Sequence, residues 1–245
     1  MRRVSRAIEW TAWATGSGAL AVACILFVAC NAGSNPQPKS PRTYTTTFSK
    51  SENPISENGN WVNGGTTGMD WTNVATSPGL AFGTESGSGG YDDSTALLTG
   101  SWSSDQSAEA TVHSINQNDN IYEEVELRLR SAITAHQLTG YEINFRCSKT
   151  QNAYAQIVRW EGPIGKFSYV AAKSGSAYGV TEGDVVKATI IGNIITVYIN
   201  GAQVLQGTDA TYGSGSPGIG FFLQGGSGVN SDYGFTKFTA SEVVQ

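Results

Sequence analysis

The sequence predicts an all-β chain, an antiparallel β-sandwich, and three observations predict it. Short runs alternate apolar and polar residues, turn residues break them at close intervals, and no helical periodicity appears beyond residue 30. Composition agrees: 245 residues contain 30 glycines and only 14% charged side chains, whereas long helices draw heavily on Ala, Leu, Glu and Lys. A single sandwich of this length is ordinary.

The first element is a leader over residues 1–30. Met1-Arg2-Arg3-Val4-Ser5-Arg6 is positively charged, and the run from Trp10 to Ala29 is apolar or small. A charged start, an apolar stretch and small residues are the build of a secretory signal or an anchor helix. Phe27-Val28-Ala29-Cys30 resembles the lipobox of a bacterial lipoprotein signal, which implies lipidation of Cys30 and a membrane tether through the N-terminus. Three alternatives stay open. Cleavage near Ala32 would release the chain, an uncleaved run of about 20 residues would span a bilayer, and Arg2-Arg3 would suit a twin-arginine route. All place the protein in the cell envelope or outside the cell.

Residues 31–43 follow as a polar linker. Asn31 to Pro41 has three prolines and no apolar periodicity, so burial has nothing to offset the entropy of ordering it. It reads as a disordered, semi-extended tether.

From Tyr44 to Gln245 the chain reads as one domain. Thr45-Thr46-Thr47-Phe48 begins it, and Ala108 to His113 is a strand candidate. Glu124-Val125-Glu126-Leu127-Arg128-Leu129-Arg130 places three apolar residues on one face and four charges on the other, and Tyr141 to Arg146 repeats the arrangement. Ala153–Trp160, Phe167–Ala171, Asp184–Ile191, Asn193–Ile199, Gln203–Gln206, Ile219–Leu223 and Phe235–Thr239 complete the series. Asn200-Gly201 supplies the two positive-φ positions of a tight type I′ hairpin, and Gly192-Asn193 does similar work one strand earlier.

Charge and cysteine content exclude other classes. The net charge of −5 becomes −7 once Arg2, Arg3, Arg6 and Glu9 leave with the leader, and without a basic stripe the chain has no means of neutralising phosphates. Nucleic acid is not a partner. Cys24 and Cys30 belong to the leader, so Cys147 is left without a disulfide partner. It reads as a small, semi-buried residue.

Gly183-Asp184-Val185-Val186-Lys187-Ala188-Thr189, Ile195-Thr196-Val197-Tyr198-Ile199-Asn200-Gly201 and Gly218-Ile219-Gly220-Phe221 resemble the second half of concanavalin A-like lectin/glucanase domains. The laminin-G-like jelly rolls look nearest. Phe48 followed by Gly59-Asn60-Trp61 is similar to their first strand. The resemblance covers residues 44–240 and implies a jelly roll with a concave sheet. It is poor for function, because this architecture hosts lectins, hydrolases, lyases and adhesion modules.

Glu124-Val125-Glu126-Leu127-Arg128 is similar to the catalytic strand of laminarinase-like members, with Glu in place of the central Asp and Arg in place of the second acid. Retaining hydrolysis needs two carboxyl groups about 5–5.5 Å apart, one of them protonated. Glu124 and Glu126 would lie roughly 6–7 Å apart along a strand, but neighbouring arginines would hold both ionised. The expectation is a solvated, salt-bridged face. Glu126-Leu127-Arg128 and Gln156-Ile157-Val158 look like fragments of alginate lyase strands, yet Val158 replaces the His and the late Tyr motif is missing. No group is left to abstract a proton.

His113 and His136 lack ligand spacing and read as a strand-face and a loop residue. The resemblance implies a structural calcium at Asp232, before Tyr233. For ligand binding the candidates are Glu126, Arg128, Asn144 and Arg146 on the charged faces, with Tyr154 and Trp160 as stacking platforms. Trp160 ends a run at Trp160-Glu161-Gly162-Pro163, where a loop would present it to solvent. The resulting expectation is an exported, non-catalytic protein that binds a polysaccharide or cell-surface glycan. Two alternatives are a glycoside hydrolase using Glu124 and Glu126, and a structural adhesion module without a small ligand.

Overall fold

The computed structural model describes residues 40–91, 93–225 and 228–244. The expected leader, Cys30 and most of the tether therefore lie outside the described residues. In chain order the strands are β1 Thr43–Thr46, β2 Trp61–Asn63, β3 Ala75–Ser77, β4 Leu80–Phe82, β5 Ser94–Leu98, β6 Gln106–Ser114, β7 Tyr122–Thr134 and β8 Gln137–Arg146. They continue as β9 Tyr154–Gly162, β10 Phe167–Ser174, β11 Val185–Ile191, β12 Ile194–Ile199, β13 Ala202–Thr208, β14 Ser216–Gln224 and β15 Tyr233–Glu242. A four-residue helix, α1 Gly64–Thr67, corrects the expectation of no helix after the leader; Asn63 caps it through Thr66 N.

Two antiparallel sheets form the sandwich. One runs β13-β12-β11-β6-β15-β4-β3, with β1 also on β15, and the other runs β10-β9-β8-β7-β14-β5-β2. The Asn200-Gly201 turn joins β12 to β13 with φ of 51° and 79°, as a type I′ turn requires. Asn200 also accepts from Val185 N and donates to Asp184, both at 2.8 Å. At the preceding turn Gly192 takes a positive φ of 55°.

Between the sheets lies an apolar core. Val125, Leu127 and Leu129 of β7 meet Ala108, Ala110 and Val112 of β6, with Phe221, Phe235 and Phe238 filling the remaining width. The apolar side chains of β7 thus point inward at every second position, as its sequence predicts, although both faces of the strand are buried. Cys147 is buried in the same core without a disulfide partner, and burial pushes its thiol far above the usual range.

A second, smaller apolar cluster sits on the outer face of the β10–β2 sheet. Met69 and Trp71, from the segment after α1, pack on Leu138, Val158 and Trp160. Trp71 meets Trp160 edge-on at 5.3 Å between ring centroids. This cover turns the outer face of β7 and β8 from a surface into an interior.

Candidate functional site

The charged face of β7 is not solvated. Glu126 is 1% exposed and Arg128 0%, and Glu124 and Glu142 are also buried. This corrects the expected exposed face: alternation places Glu124, Glu126 and Arg128 on one face of β7, but Trp71 packs on Trp160 beside them and Asp93 lies against Arg128. Arg128 Nη1 donates to Glu142 Oε2 at 2.6 Å, and Nη2 donates to Glu126 Oε2 and to Thr95 Oγ1. Asp93 Oδ2 lies 3.8 Å from the same Nη2. One guanidinium therefore faces three carboxyl groups.

Above this base opens a pocket of about 260 Å³. Asp93, Glu124, Glu126, Glu142, Asn144 and Gln156 are its polar lining, and Tyr91, Tyr154, Trp160, Phe167, Tyr169 and Phe222 are its aromatic lining. The aromatic rings touch in sequence: Trp160 to Phe167 at 5.3 Å, then Phe167 to Tyr91 at 5.2 Å and to Tyr169 at 5.6 Å. Tyr91 and Tyr169 are 52% and 59% exposed and form the rim.

Burial dominates the electrostatics. It pushes Asp93 and Glu126 well above the ordinary carboxyl range, with repulsion from Glu142 adding and attraction by Arg128 opposing. Burial raises Glu124 to about 7, against the hydrogen bond it accepts from the Tyr154 hydroxyl. Two acceptors on residues that line the pocket, Glu126 Oε1 and Asn144 Oδ1, are buried without a hydrogen-bond partner. Unpaired buried acceptors are costly.

Of the residues expected at the site, Glu126, Asn144, Tyr154 and Trp160 line the pocket. Trp160 is buried rather than presented by a loop, and its indole N–H donates to Glu142 Oε2. Arg128 lies behind the lining as its counter-charge. Arg146 turns aside: its guanidinium stacks on Tyr122 at 4.1 Å and donates to the Asp119 and Asn152 carbonyls. Arg130 leaves the face altogether. Its φ of 45° at a β-bulge swings it toward the other sheet, where it donates to the Ser104, Tyr212 and Gly192 carbonyls.

Asp232 sits in the 3-10 turn before β15, and its carbonyl accepts from Ile115 N at 3.0 Å. Among the described residues, the carboxylates drawn together within 4.8 Å are Asp93, Glu126 and Glu142. His113 pairs with Glu182 on a strand face and His136 with Asp70 in a turn. The sequence offers Tyr91-Asp92-Asp93-Ser94 only as a weak calcium-loop candidate and Phe167 only as a strand residue, neither as pocket lining. Tyr91 and Asp93 come from a segment without periodicity, and the turn between β9 and β10 sets the position of Phe167.

No family model matches the sequence, and no curated protein matches it. Solved structures do. The carbohydrate recognition domain of Emp46p, in its metal-free form, is 12% identical with a TM-score of 0.51, over 82% of this chain and 97% of that one. The carbohydrate-binding module CBM66 from Bacillus subtilis is 16% identical with a TM-score of 0.49, over 75% and 92%. Porphyranase B from Zobellia galactanivorans is 10% identical with a TM-score of 0.49, over 87% and 98%. With its two antiparallel sheets in this order, the chain has the concanavalin A-like jelly-roll fold.

Proposed function

We propose that this protein binds carbohydrate without cleaving it, taking one sugar residue of a larger glycan into the pocket on the outer face of β7, β8 and β9. The observation that carries the reading is the pairing of an aromatic rim with a floor of hydrogen-bond acceptors. Tyr91, Phe167 and Tyr169 offer ring faces, while Glu124, Glu142, Asn144 and Gln156 offer groups for sugar hydroxyls. The volume of about 260 Å³ suits one residue rather than a chain, so the ligand enters by its end or a branch. The similarity to the Emp46p carbohydrate recognition domain is in keeping with this reading.

Arg128 weighs against hydrolysis. It stands where a second catalytic acid would, and it binds Glu126 and Glu142 at once. The hydrolase reading draws on Glu124, whose carboxyl at about 7 would hold the proton that a general acid needs. Calorimetry against mono- and oligosaccharides, together with reducing-sugar release from the same panel, separates the two. Binding without release supports the proposal, and Tyr169→Ala is expected to weaken that binding by about tenfold. Release abolished by Glu124→Gln would overturn it.

We further propose export, with lipidation at Cys30 and a structural calcium at Asp232, on the sequence resemblances alone. Mass spectrometry of the mature N-terminus tests the lipid. A melting temperature unchanged by chelation would remove the calcium.

A further inference from the structure

Three features of the pocket converge on one kind of ligand. First, carboxyl groups outnumber cations. Asp93, Glu124, Glu126 and Glu142 line the space, and the guanidinium in contact with them is Arg128, shared between Glu126 and Glu142. Arg146 acts on Glu124 from the side, while its Nη1 and Nη2 donate to backbone carbonyls. Each buried carboxyl beyond the charge of these arginines must hold a proton or meet another cation.

Second, two unpartnered acceptors belong to residues of the pocket lining, beside the unpartnered Nε–H donors of Arg128 and Arg146. Glu126 Oε1 and Asn144 Oδ1 lack donors, and both residues are more than nine-tenths buried and line the pocket. They face each other across the β7–β8 ladder, where Glu126 is the register partner of Asn144. The Asn144 amide nitrogen already donates to Glu142 Oε1 at 3.1 Å, which fixes its oxygen as the free end. Third, the rim is aromatic, and ring faces attract cations as well as sugar C–H faces.

A divalent metal fits this set poorly. Calcium takes six to eight oxygens, and magnesium demands a near-ideal octahedron. Here Arg128 already occupies one oxygen each of Glu126 and Glu142, and its guanidinium repels a doubly charged ion about twice as strongly as a singly charged one. An ammonium group, by contrast, brings three donors and a single charge. It needs acceptors left over by Arg128, and Glu126 Oε1 and Asn144 Oδ1 supply two.

We propose that the pocket selects a sugar bearing a free primary amine, an unacetylated hexosamine residue, whose ammonium donates to Glu126 Oε1 and Asn144 Oδ1. This rests on the carbohydrate-binding reading of the same site. Acetylation would remove the charge and add bulk against the base of the pocket, and a uronate would bring a fifth carboxylate to four.

Calorimetry or ligand-observed NMR on the purified protein at pH 6.5 tests it with glucosamine, galactosamine, glucose, galactose, their N-acetyl forms and glucuronic acid. Chitosan and chitin oligosaccharides of matched length extend the series. One amino sugar is expected to bind at least about tenfold more tightly than its neutral and N-acetylated counterparts, with no binding of glucuronic acid. Glu126→Gln and Asn144→Ala are expected to abolish that preference. Should Glu126→Gln fail to fold, the ratio measured on the wild-type protein decides alone. Neutral sugars binding as tightly as amino sugars would overturn the amine assignment and leave carbohydrate binding standing. No sugar binding at all would overturn both.

Discussion

Trp160 donates its indole N–H to the same Glu142 oxygen that receives Arg128 Nη1, at 2.5 and 2.6 Å. A wall of the pocket and its counter-charge thus meet on one atom. Replacing Trp160 by Phe keeps most of the ring packing on Trp71 but removes one of the two donors. A loss of about 1–2 kcal/mol is expected, seen as a lower denaturation midpoint at an unchanged slope. Trp160→Ala also empties the outer cluster, and about 3–5 kcal/mol is expected.

Arg128→Met removes the charge that three carboxyl groups share, leaving Glu126 and Glu142 buried without it. Breaking such a network from one side costs about 3–5 kcal/mol. Combining Arg128→Met with Glu126→Gln and Glu142→Gln should recover much of the loss, because neutral amides no longer need the counter-charge. Urea denaturation of the single and triple variants checks the sign of that recovery. A triple variant no more stable than Arg128→Met would exclude the electrostatic account.

Gly220 on β14 leaves the space into which the Arg128 and Glu126 side chains extend. A Cβ built there would fall on Glu126 Oε2, 2.8 Å from Arg128 Nη2 and 2.9 Å from the Ser94 carbonyl. Gly220→Ala is expected to cost about 1–3 kcal/mol through overpacking and to weaken any pocket ligand. Thermal melts and calorimetry on one preparation would show both effects together.

The pH dependence follows from carboxyl groups whose protonated form the fold favours. Burial raises Glu123 and Glu124 from 4.5 to about 7. Asp93 and Glu126 move in the same direction. An acid raised in the folded state costs nothing below its unfolded value. Its penalty then grows as pH climbs from the unfolded to the folded value, by about 1.4 kcal/mol for each pH unit crossed. Melting temperature is therefore expected to fall between pH 5 and pH 8. Below pH 4 the trend reverses, because Asp209 is held down at about 2 by its bonds to Tyr141, Thr211 and Arg159. A melt series from pH 3 to 9 reads both limbs, and Glu124→Gln should flatten the upper one.

From β6 onward most strands are legible in the sequence because they are long enough for the apolar residues of their inner faces to recur at every second position. The stretch from Trp61 to Leu98 is not. Strands β2, β3 and β4 are three residues long, too short for a period to show, and all five residues of β5 are buried, so nothing alternates there. The same stretch supplies Trp71, Tyr91 and Asp93 to the site. Alternation indicates which residues share a face of β7, but not whether another segment covers that face. The misplacement of Arg130 has a local cause, since a bulge is a single extra residue that leaves no compositional trace.

The polar cluster on β7 and β8 also determines which residues of the two strands can be neighbours. Arg128 stands opposite Glu142, and Leu127 opposite Ile143. Sliding one strand by a single residue would turn its side chains over, thrusting a guanidinium or a carboxylate into the hydrocarbon between the sheets. An aliphatic outer face would tolerate that slip far better. The buried charges thereby hold the two longest neighbouring strands in one alignment, whatever they go on to bind.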